Sequence, residues 1–257
     1  MNKYIEKEVA IENSNLKEVW ISSRYTLVRA GVFNYDPSIY SLIIPNPVKR
    51  ICNGAFSRCE ELTSVSLPDS LVSIGHWAFS RCPKLTSITI PQNVTEVGHG
   101  IFRGCRELTS VTVLGSVLPD FCMNKKLSTI KIGENLDIIN LYAFENSFIG
   151  CNNIKTIIID ENNKYFDSRN NCNAIIHTSS DTLVLACNST VIPEGIKHIS
   201  AGAFKNCGRK KTLSLPESIE SIKSLPDNVK KIIVPKGRKV EFKKKLPWKR
   251  GIILEEK

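Results

Sequence analysis

Cysteine and histidine are the residues of this chain with the most reactive side chains. The 257 residues include nine cysteines and four histidines. A thiol beside an imidazole can act as a nucleophile, and clusters of the two can bind a metal. Cys59, Cys82 and Cys105 recur every 23 residues in phase with apolar positions, which favours small buried side chains in a repeated core position. A disulfide or metal role is the alternative.

His76 and His99 also share one position in neighbouring repeats and could begin a metal site. A structural zinc site needs four protein ligands and a catalytic one three, and the sequence indicates no third. His177 and His198 lie in unrelated contexts. No nucleophile elbow or phosphate loop precedes a predicted helix, and the Gly-x-Gly at 98–100 follows from the repeat. We therefore predict no catalytic residue, metal, cofactor or small-molecule substrate.

Outward positions on short predicted strands are the main binding hypothesis. In pieces such as 62–67, read LTSVSL, alternate side chains face opposite sides of a strand. The outward positions form a candidate binding face: Trp20, Ile43, Ser64, Ser66, Ser87, Thr89, Ser110, Thr112, Thr129 and Lys131, with Thr156, Thr212 and Ser214 further along. The alternative is that Ser and Thr are ordinary solvent-facing strand residues.

Trp20 and Ile43 occupy the same outward position in the first two repeats. If exposed, this pair would be a contact hot spot, because large apolar side chains dominate binding energy at interfaces. The alternative is that the N-terminal segment folds over the pair and covers it.

The C-terminal fifth is strongly basic. From Lys205 to Lys257 there are 16 Lys or Arg and 6 Asp or Glu, a difference of +10 that equals the net charge of the chain. A candidate basic patch comprises Lys239, Lys243, Lys244, Lys245, Lys249 and Arg250, with Trp248 beside it. Such a patch could attract acidic glycans, anionic membrane or nucleic acid. The alternative is a solvated cap that keeps the end of a repeat stack soluble.

A repeat of 23 residues positions all these side chains. Five apolar series keep this spacing over nearly 100 residues, among them Phe33, Phe56, Phe79 and Phe102. Each unit reads LxxVxL, usually Pro, then xxVxxIG and AFxxC, which predicts a short strand, a proline that ends it, a return path and a turn. One unit cannot bury its apolar flanks alone, so the units must stack into a solenoid.

The repeat predicts the domain organisation. We expect an N-terminal cap at residues 1–15, a solenoid of about nine or ten coils at 16–237 and a basic cap at 238–257. The coil around 118–123 is shortened, and the next carries extra residues around 146–150. Residues 160–190 depart from the pattern and predict an irregular, hairpin-like insertion, with two apolar runs on either side of 179–181.

Units such as SRCEELTSVSLPDSLVSIGHWAF closely resemble the BspA-like leucine-rich repeat, also called the Treponema pallidum type. The resemblance covers about 16–235 and implies a right-handed, curved solenoid of the α/β leucine-rich-repeat type with a parallel sheet on one face. It also implies a bacterial protein, secreted or at the cell surface, that binds proteins of host or cell surfaces. The family has no shared catalytic residues to carry over.

Composition is consistent with this hypothesis. Apolar residues make up 42% and charged residues 23%, which is typical of a folded chain. No apolar run reaches the roughly 18 residues that a membrane span needs, and residues 1–10 show no secretory leader. We expect a non-enzymatic module that binds a protein ligand, and the alternative is a polyanion-binding protein that uses the basic patch.

Overall fold

The chain folds into a solenoid of about nine turns, each about 23 residues long, which confirms the fold class that the repeat predicts. This computed structural model describes residues 4–5, 18–137, 147–247 and 251–257, with side chains from residue 21 onward. Most of the described turns have two short strands that pair with the strands of neighbouring turns, so the solenoid has two strand-lined sides. The fully described turn that begins with β10 (Ser110–Val113) has no second strand before β11 (Thr129–Ile132).

The LxxVxL pieces form the first side, here called the front side. Its strands are β2 (Glu18–Trp20), β4 (Ser41–Ile43), β6 (Ser64–Ser66), β8 (Ser87–Ile90), β10 (Ser110–Val113), β11 (Thr129–Ile132), β12 (Thr156–Ile159), β17 (Thr212–Ser214), β19 (Lys231–Val234) and β20 (Ile253–Glu256). They pair in parallel within three sheets, β2-β4-β6, β8-β10-β11-β12 and β17-β19-β20. Pro68 follows β6 closely and Pro91 follows β8 directly, because proline cannot donate to the ladder.

The return paths form the second side. Its strands are β1 (Tyr4–Ile5), β3 (Leu27–Val28), β5 (Arg50–Ile51), β7 (Ser73–Ile74), β9 (Glu96–Val97), β13 (Phe166–Asp167), β14 (Ala174–His177), β15 (Thr182–Ala186), β16 (His198–Ile199) and β18 (Ser221–Ile222). They form two five-stranded sheets, β1-β3-β5-β7-β9 and β13-β14-β15-β16-β18. The repeat pattern did not predict that the return paths would form strands and not helices.

Glycines after the return strands permit the close stacking of turns. A Cβ on Gly75 would lie 2.6 Å from the backbone nitrogen of Asn53, and one on Gly98 would meet the backbone nitrogen of His76. Any side chain here would push neighbouring turns apart, so the repeated IG and VG pairs allow the tight spacing.

Phenylalanine forms the centre of the first core. Phe33, Phe56, Phe79, Phe102, Phe121 and Phe148 are almost wholly buried and stack in succession. Neighbouring ring centroids are 5.2 to 5.8 Å apart, and the ring planes differ by 6° to 16°. Each ring covers the next, so every turn removes apolar surface of its neighbour from water.

An antiparallel hairpin interrupts the parallel stacking. β14 pairs antiparallel with β15, whose far edge pairs in parallel with β16. Ile175 and Val184 belong to the first core, whereas Ile176 and Leu183 belong to a second core that continues to the C-terminal helix. The hairpin therefore lies within the stack, with both faces buried.

A bridge of charges holds the hairpin. The Arg169 guanidinium donates to Asp167 at 2.8 and 3.0 Å and to Asp181 at 2.9 Å, and Lys197 lies 3.4 Å from Asp181. The hydrogen bond from Arg169 is the main cause that lowers the pKa of Asp181. The bridge links the end of β13 to the tip of the hairpin and to the next turn.

Two predicted caps lie partly outside the described residues. Of residues 1–15, only the backbone of Tyr4–Ile5 is described, where β1 pairs in parallel with β3. At the other end, helix α1 (Lys239–Lys245) buries Phe242 against the second core, and β20 adds a last strand beside β19. The domain bounds 1–15, 16–237 and 238–257 stay a prediction.

Phe79→Ala tests the stacked rings. The substitution removes a ring that contacts Phe56 and Phe102, and we expect it to lower the free energy of unfolding by about 3–5 kcal/mol through lost transfer energy and a cavity. Urea unfolding followed by circular dichroism measures the change. Tyr165→Ala, at an aromatic residue that is 42% exposed, should cost about 0.5 kcal/mol or less. Equal losses at both positions would contradict a core built on stacked rings.

Candidate binding surfaces

Parallel pairing within two sheets, and the 23-residue period between those sheets, bring the predicted outward residues of the front side into two rows. The first row runs through Ser41, Ser64, Ser87, Ser110, Thr129 and Thr156, and the second through Ile43, Ser66, Thr89, Thr112, Lys131 and Ile158. Ser64, Ser66, Ser87, Thr89 and Lys131 are exposed, while Ser110, Thr112 and Thr129 are half-buried. Between Ser64 and Ser87 the rows pass from one sheet to the next, and the Thr86 N–H donates to the Thr63 carbonyl at 3.4 Å there. The candidate binding face is thus a strip that crosses two neighbouring sheets.

The strip is mostly hydroxylic, and some hydroxyls bond to each other. The Ser64 hydroxyl donates to the Ser41 hydroxyl at 3.0 Å. Thr212 and Ser214 lie on β17, which pairs with β19 beyond the hairpin, and so belong to a separate sheet.

One exposed apolar residue of this strip was missed in the sequence. Ile158 is 48% exposed and pairs with Lys131 across β11 and β12. The signal was present, because the strand reads Thr-Ile-Ile-Ile and breaks the usual alternation with an apolar residue at the outward position.

For the predicted Trp20–Ile43 pair, the structure describes the backbone of both residues. Trp20 on β2 pairs with Ile43 on β4 in the parallel register. Ile43 is half-buried, and the side chain of Trp20 lies outside the described residues. Whether the pair forms a hot spot stays a prediction.

The periodic cysteines lie buried as free thiols in one column beside the phenylalanines. The thiols of Cys59, Cys82 and Cys105 donate to the carbonyl oxygens of Phe33, Phe56 and Phe79 at 3.3, 3.2 and 3.2 Å. Each bond joins one turn to the turn before it. In the shortened turn Asn124 takes this position, and its amide donates to the Phe102 and Phe121 carbonyls at 3.1 and 2.9 Å.

Burial makes these thiols poor nucleophiles. It raises the pKa of Cys105 and of Cys151 to about 12, because the thiolate would lose its hydration. The attacking species of a thiol is the thiolate, which a raised pKa makes scarce at neutral pH. The hydrogen bonds of the column instead indicate a role in the stacking of turns. No disulfide joins any two of the nine cysteines, all of which lie in the described part of the chain.

His76 and His99 lie one above the other, but their contact is a hydrogen bond. The backbone N–H of His99 donates to Nδ1 of His76 at 2.9 Å, and the ring centroids are 5.3 Å apart. One turn earlier, Asn53 Oδ1 accepts from the backbone N–H of His76 at 2.9 Å. His177 and His198 instead contact the hydroxyls of Ser180 and Ser221 at 2.8 and 2.9 Å. Within the described ranges, no group of three or more His, Cys, Asp or Glu side chains is placed to hold a metal ion.

The lysines of the candidate basic patch that lie on helix α1 have different surroundings. Lys239, Lys243 and Lys244 are exposed. Lys245, by contrast, donates to the Ile219 carbonyl at 2.7 Å and lies 2.6 Å from Glu241, which also accepts from Arg238. Lys249, Arg250 and Trp248 lie outside the described residues. Lys245 thus joins the helix to the preceding turn as well as adding charge.

A membrane-crossing helix is not found in the part of the chain that the structure describes: no helix there is sufficiently long and apolar.

Stacked strands, a phenylalanine column and an outward polar strip define a leucine-rich-repeat solenoid. The family model described as the BspA type leucine rich repeat region matches six copies, at residues 26–149 and 182–226. The chain therefore belongs to the BspA-type leucine-rich-repeat family. The unmatched interval between these ranges contains β12, β13 and β14.

Solved structures share the fold at low sequence identity. The pneumococcal vaccine antigen PcpA is 18% identical with a TM-score of 0.54, and the match covers 84% of this chain and 59% of that one. A leucine-rich repeat protein from Eubacterium ventriosum is 16% identical with a TM-score of 0.51, and the match covers 85% and 67%. The chain thus spans well under two thirds of the length of the pneumococcal protein. A comparison with curated proteins finds no significant match.

Thiol titration tests the cysteine column. At pH 8 we expect at most the two half-buried thiols, Cys52 and Cys122, to react with dithionitrobenzoate in the folded protein, and all nine after unfolding in guanidinium chloride. Burial also raises the pKa of Cys52 and of Cys122, so both should react slowly. Rapid reaction of more than two thiols in the folded protein would contradict a closed column.

Glu241→Gln tests the contacts of helix α1 through pH. Hydrogen bonds from Arg238 and then Lys245 lower the pKa of Glu241 from 4.5 to about 2. A lowered folded pKa stabilises the protein above the unfolded pKa, and this contribution is lost as the pH falls from about 4.5 towards 2. We expect the variant to unfold about 1–3 °C lower at pH 7 and to match the wild type near pH 2. Thermal unfolding measures both, with Glu134→Gln as the control, and an unchanged difference at pH 2 would contradict the assignment.

Proposed function

We propose that this protein is a non-enzymatic binding module that holds a protein ligand on its front strip. The observation that carries the proposal is the register of the front strands, which within each sheet aligns the outward side chains of adjacent turns. A rigid stack of this kind presents a preorganised face, which reduces the entropy lost on binding. The hydroxyl rows supply hydrogen bonds, and Ile158 beside Lys131 supplies apolar area at one end.

The proposal extends to adhesion. Binding of host or other cell-surface proteins by a secreted or surface-held protein is the function that the family resemblance favours. Against an enzyme, the periodic thiols are buried, burial raises the pKa of Cys105 to about 12, and His76 uses Nδ1 as an acceptor for a backbone N–H.

Polyanion binding through the basic patch is the alternative. Exposed Lys239, Lys243 and Lys244 support it, while the contacts of Lys245 with Ile219 and Glu241 support the capping role. Salt separates the two hypotheses, because binding that releases counterions weakens steeply as salt rises.

Bulky residues on the strip should block a protein ligand. A panel of purified host extracellular proteins is first screened for one that binds the wild type. We expect the double variant Ser87→Tyr and Thr112→Tyr to bind that protein about tenfold or more weakly. Biolayer interferometry at two salt concentrations, with immobilised heparin as the polyanion, measures the effect. Thr95→Tyr, at an exposed residue outside the front side, is the matched control.

Two results would refute strip binding. One is equal loss in the double variant and in Thr95→Tyr. The other is capture that disappears when Lys243 and Lys244 are changed to Glu and survives the tyrosine variant, which would favour the polyanion alternative.

A further inference from the structure

A second surface of the solenoid differs sharply from the front strip. In the turn segments on either side of the stacked phenylalanines, the side chains of Tyr35, Arg58, Trp77, Arg81 and Arg103 line an open groove of about 430 Å³. We call it the turn groove. Asn34, Gly54, Ser57 and Ser80 complete its lining, which contains three arginines and no carboxylate.

Backbone hydrogen bonds place these residues one above another. The N–H groups of Tyr35, Arg58 and Arg81 donate to the carbonyls of Ser57, Ser80 and Arg103 in the next turn at 2.9, 2.8 and 2.8 Å. Neighbouring turns are about 5 Å apart, as the Phe56–Phe79 centroid distance of 5.3 Å shows. The arginines therefore form a short ladder of positive charge.

Backbone conformation singles out Trp77. Its φ is 55°, in the left-handed region, and the same position in other turns is Gly31, Gly54 and Gly100, with φ of 64°, 62° and 65°. A bulky side chain in this region costs conformational energy, and such strain is often retained where it serves function. The indole lies against the next turn, since a Cβ on Gly100 would come within 2.7 Å of it, yet Trp77 is 52% exposed.

Some polar groups of the groove already have partners within the described part of the protein, and others have none there. The Ser57 and Ser80 hydroxyls donate to carbonyls of the next turn at 3.4 and 3.3 Å. The Arg58 guanidinium lies 4.3 Å above the ring centroid of Tyr35, which is 55% exposed. Among the described residues, the guanidinium groups of Arg81 and Arg103 form no hydrogen bond or ion pair. Because Arg58 is held over the Tyr35 ring, Arg81 and Arg103 are the arginines of the groove that are most available to a ligand.

We infer that the turn groove binds an acidic segment of a protein partner, with carboxylates on Arg81 and Arg103 and an apolar or aromatic side chain against Trp77. Arginine forms paired hydrogen bonds with carboxylates, and Trp, Tyr and Arg are the residues enriched in interface hot spots. On an extended segment, alternate side chains lie about 6.7 Å apart, which flexible guanidinium groups on adjacent turns can match. Charge alone would need neither the aromatic rings nor the strained Trp77.

This inference rests on the proposed role as a binding module and adds a second surface to it. The probe is a fluorescein-labelled 12-residue peptide of alternating Glu and Tyr, compared by anisotropy with the same peptide carrying Gln in place of Glu. We expect the acidic peptide to bind at least about tenfold more tightly, and Arg81→Glu and Arg103→Glu each to weaken it about tenfold or more. The control Arg209→Glu makes the same change of charge at an exposed arginine in the part of the solenoid that is built on the second core. It should change the affinity for the peptide by less than about twofold.

Trp77→Gly separates binding from folding. Glycine suits the left-handed backbone, so the variant should keep or raise the melting temperature while it weakens peptide binding about fivefold or more. No binding of the acidic peptide by the wild type, an equal loss in Arg209→Glu, or unchanged binding in Trp77→Gly would each overturn the inference. So would heparin or oligothymidylate that binds more tightly than the peptide through the same arginines.

The two surfaces can fail separately. The double tyrosine variant of the front strip should bind the acidic peptide normally, and Arg81→Glu should keep strip-dependent capture. Failure of the wild type to bind the acidic peptide, with strip-dependent capture intact, therefore refutes the turn groove alone. Failure of the double tyrosine variant to lose capture, with peptide binding intact, refutes the proposed front surface alone.

Discussion

The structure depends on the stacking of one turn upon the next around a column of phenylalanine rings. Phe56 packs between Phe33 and Phe79 at centroid distances of 5.2 and 5.3 Å, so no single turn has a complete core. A second column of thiols reinforces the first, because Cys82 donates to the carbonyl of Phe56 in the preceding turn. Apolar burial supplies most of the stability, and these bonds add a polar contact between neighbouring turns inside the core.

Where the repeat changes, the same physical needs are met by other residues. In the shortened turn, Asn124 replaces the cysteine and bonds two phenylalanine carbonyls at once. Between the two cores, an antiparallel hairpin replaces the parallel coil and buries a different set of side chains on each face. Its polar tip is held by Arg169 between Asp167 and Asp181. The stack therefore continues through residues that the family model leaves unmatched.

Stacking also determines what the surface can do. On the front side, parallel pairing repeats every outward residue at the spacing of the turns and yields a polar strip. At the turns, the same repetition puts Arg58 and Arg81 in one left-handed position of successive turns, with φ of 61° and 58°. Trp77 departs from its column, since glycine occupies that position in other turns. A periodic scaffold makes such a departure informative, because its neighbours show what the backbone alone would prefer.

The sequence by itself determined the period, the strands of the front side and the buried columns, since a spacing of 23 residues can satisfy apolar side chains only by stacking. It did not show that Arg81 and Arg103 line one groove with Trp77, because they occupy different positions of the repeat and meet only through the turn. Nor did it show that Lys245 contacts the Ile219 carbonyl. Periodicity reports contacts between equivalent positions, whereas contacts between unlike positions depend on how the turn bends and on the reach of long side chains, which only the tertiary structure decides.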